Sequence, residues 1–230
     1  MYVDHDQNQV LSIFISLITH QLGPPTILIN NAGLVNGQTL LSLTPAQLTR
    51  NFNVNLLSHF HTIRAFLPSM LSSPPGGTIV TVASVLGKLG ASHLTDYTAA
   101  KAGLIAMHTS LQGELRSSTA PAGADKIRLL LVTPGQLSTP LFAGLDTPSN
   151  FLGPVVESVE LAKEIVKAVD SGWSGEVSMP LYANCVEWLH VLPVGLQRIA
   201  RWTSGVDSAM EGFGAKNARQ QKGEVKPKAN

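Results

Sequence analysis

Apolar positions recur along this chain with two alternating periods. Val10, Phe14, Leu17 and Ile18 return at helical spacing and predict a helix over about Asp6 to Gln21, stopped by Gly23-Pro24-Pro25. Thr26 to Asn30 is short, β-branched and apolar on both faces, as a strand inside a parallel sheet must be. Thr44-Pro45-Ala46-Gln47 has the form of a capping box with proline in the first turn, and the helix it opens should run to about Phe66, before Pro68. A second buried strand is expected over Thr78 to Ser84, after the turn signal Pro74-Pro75-Gly76-Gly77.

The same alternation continues downstream. Asp96 to Arg116 reads as a helix whose Ala99, Ala100, Ala102 and Gly103 permit close packing, and Ile127 to Val132 as a third strand ended by Thr133-Pro134-Gly135. Ser158 should cap a helix to about Asp170, with Gly172 beyond its end, and Glu176 to Met179 should form a short last strand. Strands alternating with helices imply an α/β fold with a parallel sheet. The chain carries no internal repeat.

Composition narrows the class. Only 13% of the 230 residues are charged, about half the usual share, while 44% are hydrophobic. Mean hydropathy is +0.16. Such a chain folds rather than staying disordered, and a net charge of +1 offers no general attraction to nucleic acid. The single cysteine, Cys185, excludes an intrachain disulfide framework and multi-cysteine metal sites, and points to an intracellular protein. The first ten residues carry acidic rather than basic charge, unlike a secretory signal, and the apolar run Val10 to Ile18 is too short to span a bilayer.

The last fifty residues differ in character. Val186 to Trp202 is rich in Trp, Leu, Val and Ile but interrupted by Pro193 and Gly195. Seven Lys or Arg against three Asp or Glu from Arg198 onward give this end +4, against −3 for the rest. The apolar stretch has two readings: packing on the core or as a lid over a cleft, or shallow contact with a membrane or lipid droplet, with Arg198 and Arg201 at the headgroups. The final dozen residues read as a solvated tail.

Four short features fall in order on the predicted elements. Asn30-Asn31-Ala32-Gly33 ends the first strand, where parallel sheets bind ligands. Asn55 lies within the next helix, Ser84 ends the second strand, and Tyr97 and Lys101 are four apart on one face of the following helix. Taken singly these are ordinary residues: turn chemistry for Asn-Asn-Ala-Gly, a satisfied buried amide for Asn55, surface positions for Tyr97 and Lys101. No Gly-x-Ser-x-Gly elbow of a serine hydrolase occurs, since Gly172-Trp173-Ser174-Gly175 is one residue short. His59 and His61 point to different faces of a helix, which argues against a metal site.

As a set, with Ser84 thirteen residues before Tyr97, the Tyr97-Thr98-Ala99-Ala100-Lys101 motif and Pro134-Gly135-Gln136-Leu137-Ser138-Thr139 after the third strand, these features resemble the short-chain dehydrogenase/reductase family over about Asp4 to Pro180. The stretches GPPTILINNAG and NVNLLSHFHTIRAFLPSML look most like its retinol-dehydrogenase-like branch, whose members act on lipophilic alcohols and ketones. The resemblance implies a Rossmann-like doubly wound parallel sheet and an NAD- or NADP-dependent oxidoreductase. It makes Tyr97 the general acid/base, since a phenol with an ordinary pKa near ~10 needs assistance at neutral pH. Lys101 would stabilise the phenolate and bond the nicotinamide ribose, Ser84 would hydrogen-bond the substrate oxygen, and Asn55 would hold a water relaying protons to Lys101. Cofactor contacts would come from Asp4 near the adenine, Asn30, Ala32 and Gly33 along the ribose, and Pro134, Gly135, Leu137 and Thr139 at the nicotinamide end. A homodimer through the long helices Thr44 to Phe66 and Asp96 to Arg116 is expected.

The family's glycine-rich T-G-x-x-x-G-x-G turn does not occur in this sequence. Gly87-Lys88-Leu89-Gly90 follows the Ser84 strand and Gly212-Phe213-Gly214 follows no strand, so neither substitutes. By the resemblance the domain is truncated at its N-terminus, lacking its first strands and helices, with the strand Thr26 to Asn30 left as an unpaired apolar edge and an intact relative of roughly 280 to 300 residues. Residues 1–180 are then a partial Rossmann-like domain, 181–214 an apolar extension and 215–230 a polar basic tail. The alternative is an inactive truncated protein that serves only as a binding or dimerisation partner.

Overall fold

The computed structural model describes residues 5–142 and 154–207. The tail 215–230 and Asp4 lie outside the described residues. In chain order the elements are α1 (His5–Leu22), β1 (Ile27–Asn30), α2 (Pro45–Phe52), a π-helical turn (Asn53–Leu57), α3 (Ser58–Ser72), β2 (Gly77–Val82) and α4 (Thr95–Arg116). They are followed by β3 (Ile127–Val132), α5 (Ser158–Asp170), β4 (Gly175–Val177) and α6 (Val194–Ser204).

The four strands pair in parallel in the order β1-β2-β3-β4, with Ile27 opposite Thr78, Gly77 opposite Ile127 and Leu130 opposite Gly175. Successive residues face opposite sides of the sheet, and helices cover both sides. Ile79 and Leu129 pack with Ile63 and Met70 of α3 and Leu115 of α4. Val80, Val82, Leu130 and Val132 meet Leu161 and Ala168 of α5 on the other face. Each such fully buried aliphatic side chain contributes about 1.5–3 kcal/mol, and the doubly wound arrangement explains why the central strands carry apolar residues on both faces. Leu28 turns toward α3, while Ile27 and Ile29 stay about half exposed, so the apolar edge expected from the sequence is present.

Several boundaries differ from the sequence expectation. The helix opened at Thr44 does have its capping box, with Thr44 Oγ1 accepting from Gln47 N and Gln47 Oε1 accepting from Thr44 N. It is not one helix, however: the π turn interrupts it, and α3 passes through Pro68 to Ser72. The ring removes one ladder bond, and packing of Ile63 and Met70 against the sheet outweighs that loss. Glu157 rather than Ser158 stands at the N-cap of α5, without a side-chain capping bond, and its carboxylate accepts from Ser138 Oγ at 2.7 Å. Strand β2 ends at Val82, two residues before Ser84, and β4 is Gly175–Val177 rather than Glu176 to Met179.

Pro193, a break in the sequence pattern, instead starts α6 by standing at its N-cap. The extension wraps onto the segment after β2: Ala183 and Val186 are buried against Val85, and Lys88 Nζ pairs with Glu176 of β4 and, at 3.2 Å, with Glu187.

Candidate active site

The carboxyl ends of β1, β2 and β3 and the first turns of α4 enclose a cleft of about 500 Å³. Ser84, Tyr97, Lys101, Gly33, Pro134, Gly135, Leu137 and Thr139 all line it. This is the end of a parallel sheet where helix N-termini and loops converge on a ligand.

Ser84 is fully extended (φ −170°) and caps the short turn Val85–Gly87, its Oγ accepting from Leu86 N at 3.1 Å. That turn is seated from two sides. Val85 N donates to Pro134 O at 2.9 Å. A Cβ on Gly87 would stand 2.8 Å from the Lys101 carbonyl, so only glycine lets the turn lie flush on α4. The close approach fixes Ser84 beside Tyr97, where its hydroxyl acts to lower the phenol.

Tyr97 is almost wholly buried, with the Phe142 ring edge-on at 5.9 Å between centroids. Burial pushes the phenol up to about 12, against the lowering effect of the Ser84 hydroxyl. Lys101 Nζ donates to Val82 O at 2.8 Å and lies 5.8 Å from the centre of the Tyr97 ring. Burial lowers the ammonium to about 8. The site therefore holds a protonated phenol beside a cation that still carries most of its charge at neutral pH.

Asn55 occupies the π turn, where the extra residue re-aims a side chain within an otherwise continuous helix. Its amide is committed on every side. Nδ2 donates to Leu34 O at 2.8 Å and to Asn51 Oδ1 at 2.9 Å, and Oδ1 accepts from Leu34 N at 2.8 Å. The amide thus clamps the Asn30 to Leu34 loop, and a Cβ on Gly33 would come within 3.3 Å of Asn55 Oδ1 and 3.9 Å of Lys101 Nζ. One turn further, His59 is buried and held neutral, lowered to about 4 by burial and by the Lys101 charge against an opposing Ala32 backbone contact. Neither ring nitrogen has a partner at hydrogen-bond geometry.

Not every residue singled out in the sequence reaches the cleft. Asn30 turns away from it, its Oδ1 accepting from Thr62 Oγ1 of α3 at 2.8 Å, while its neighbour Asn31 lines the cavity. Alternation along the strand end decides which of the two faces inward. Ala32 is exposed on the loop, and Asn55 lies behind Gly33 rather than in the wall. The sequence reading missed the apolar wall formed by Ile29, Leu141, Phe142, Leu161, Ile165 and Val166, and buried Asp96, which accepts from Asn36 Nδ2 at 2.6 Å at the start of α4. Helical spacing in α5 marks Leu161 and Ile165 as apolar, but only tertiary packing tells a core position from a cleft wall.

Among the described residues no group of His, Cys, Asp or Glu could hold a metal ion, and no helix is long and apolar enough to cross a membrane.

Comparison with known proteins agrees with this geometry. The chain is 36% identical over 185 residues to the uncharacterized oxidoreductase TDA5 of Saccharomyces cerevisiae, a match covering 80% of this chain and 55% of that protein. It is 39% identical over 127 residues to retinol dehydrogenase 10 of Rattus norvegicus, covering 55% of this chain and 36% of the relative. The chain thus spans about half or less of the length of these curated relatives. Its fold superposes with a TM-score of 0.63 on an alcohol dehydrogenase from the archaeon Thermococcus sibiricus, solved in complex with 5-hydroxy-NADP, at 19% identity and covering 78% of this chain and 72% of that one. Because the family model for short chain dehydrogenases also matches residues 1–149, the chain belongs to the short-chain dehydrogenase/reductase family, on its retinol-dehydrogenase-like branch.

Proposed function

We propose that the chain carries the acid/base half of an NAD- or NADP-dependent oxidoreductase that interconverts a lipophilic alcohol and its ketone or aldehyde. The observation that carries this reading is the convergence of Ser84, Tyr97 and Lys101 on one cleft whose remaining wall is apolar. The glycine at position 33, beside Asn55 and Lys101, leaves backbone-close space, and together with Pro134, Gly135, Leu137 and Thr139 it fits the nicotinamide end of a dinucleotide. A bound nicotinamide supplies or accepts the hydride.

This chain's own residues manage the proton. Tyr97 Oη, protonated because burial raises it, donates to the substrate oxygen in the reducing direction and takes the proton back in the oxidising one. Ser84 Oγ hydrogen-bonds that oxygen as charge develops. Lys101, fixed by the Val82 carbonyl, opposes the burial that disfavours the phenolate. Asn55 positions the loop carrying Gly33 rather than touching substrate. The exposed side chains of Leu57 and Phe60, and the small exposed residues Ala99, Ala102 and Ala106 of α4, support a homodimer. A lipophilic substrate fits placement at the periphery of the endoplasmic reticulum or of lipid droplets.

The test is a fluorescence titration of the 230-residue chain with NADH and NADPH, followed by turnover of a long-chain alcohol. Tyr97→Phe should keep nucleotide affinity and lose nearly all turnover. A folded chain that binds neither nucleotide would refute the oxidoreductase reading and leave a binding or dimerisation role.

A further inference from the structure

Helix α6 is inverted for a protein surface. Its half-buried face carries Gln197, Ala200, Arg201 and Ser204, and the polar groups there are satisfied within the chain. Gln197 Nε2 donates to Leu192 O at 2.7 Å, and Arg201 makes a two-point bond to Asp207, with both contacts at 2.7 Å. Leu196, Ile199 and Trp202, three residues apart and so on one outward face, are 49%, 57% and 83% exposed. Trp188 and Val191 just before it and Val194 in its first turn add 71%, 78% and 63% exposed side chains. A surface helix ordinarily turns its apolar stripe inward, and an apolar patch of this extent marks a contact surface.

Charge decides what covers it. From Trp188 to Val206 there is no Asp or Glu; of the acidic residues at either end, Glu187 is paired with Lys88 and Asp207 with Arg201, which leaves Arg198 as the cation on this face. Arg198 is exposed on the flank of the apolar face, and the sequence from Arg198 onward carries +4. Two of the three tryptophans of the chain, Trp188 and Trp202, lie exposed on this segment; tryptophan favours the headgroup level of a bilayer. We propose that the outward face of α6, with Trp188 and Trp202, docks on an anionic lipid surface with the helix lying in the interface plane. The docking stands independently of the reaction, but it would set the lipid beside the cleft. Val206, just past α6, packs with Ala91, Leu94 and Tyr97, and Asp207 Oδ1 accepts from Ser92 N at 3.0 Å.

The 230-residue chain is mixed with phosphatidylcholine vesicles, with or without phosphatidylserine, and flotation and tryptophan emission are read. The expected result is flotation with the phosphatidylserine vesicles, a shift of emission to shorter wavelength and quenching by lipids brominated in the upper acyl chain. Trp173→Phe, which alters a tryptophan packed on Gly175, should change none of this. Ile199→Glu and Trp202→Glu should each lower partitioning roughly tenfold with unchanged circular dichroism, and Arg198→Glu should weaken only the phosphatidylserine-dependent part. No flotation of the unaltered chain, or flotation that Ile199→Glu leaves unchanged, overturns the proposal. Equal flotation with both vesicle types overturns its anionic component. If a variant does not fold, bromolipid quenching in the unaltered chain decides, and its absence counts against docking. A chain that ignores vesicles and forms a dimer that Ile199→Glu dissociates would assign the face to a second copy instead.

Discussion

Replacing Asn55 by alanine tests whether the π turn holds the site together. The substitution deletes three hydrogen bonds at once, two to the backbone of Leu34 and one to Asn51 Oδ1. Asn51 is wholly buried and its Nδ2 already lacks a partner, so stranding its Oδ1 costs the full desolvation penalty of about 1–3 kcal/mol. Leu34 is only half-buried, and its N–H and C=O can recover water once the loop shifts, which limits their loss to about 1 kcal/mol each. The expected destabilisation is about 3–5 kcal/mol, or a fall in Tm of roughly 10 °C for a domain of this size. Urea unfolding followed by far-UV circular dichroism measures it, and limited proteolysis should show the loop after β1 newly accessible. A loss below about 1 kcal/mol with the loop still protected would refute the clamp and make Asn55 an ordinary helix residue.

Two further outcomes are expected. Because burial lowers Lys101 to about 8 from an ordinary 10.5, the unfolded chain binds a proton between those values that the folded chain does not. Stability should therefore rise with pH across that window, by about 3 kcal/mol in full. Tyr97, raised to about 12, acts in the opposite sense from pH 10 upward, so Lys101→Met is compared with the unaltered chain at each pH, and a pH-independent difference would contradict the assignment. Gly87→Ala drives a Cβ into the Lys101 carbonyl and should cost about 1–3 kcal/mol; Gly90→Ala, with nothing within 4 Å, should be neutral, and equal thermal melts for the two would show that the close approach is not needed.

Much of this arrangement is legible without coordinates. The strands announce themselves as short, mostly apolar runs, because a parallel strand covered on both faces buries most of its side chains, as Ile79, Val80 and Val82 and Leu129 to Val132 show. Spacing alone puts Tyr97 and Lys101 on one helix face, and the order of Asn-Asn-Ala-Gly, Ser84 and Pro134-Gly135 along the chain already sends them to one end of a parallel sheet.

Tertiary structure decided the rest, because those outcomes depend on neighbours distant in sequence. The π turn at Asn55 exists to meet a loop 21 residues away. The need for glycine at 87 arises from the backbone of α4, and the continuation of α3 through Pro68 from the sheet beneath it. Whether Asn30 or Asn31 faces the cleft is set by one step of strand alternation at the edge. The outward apolar face of α6 is hidden in the sequence for the same reason. Helical periodicity shows that Leu196, Ile199 and Trp202 share a side, but only the bonds that turn Gln197 and Arg201 inward show that this side is the one left facing out.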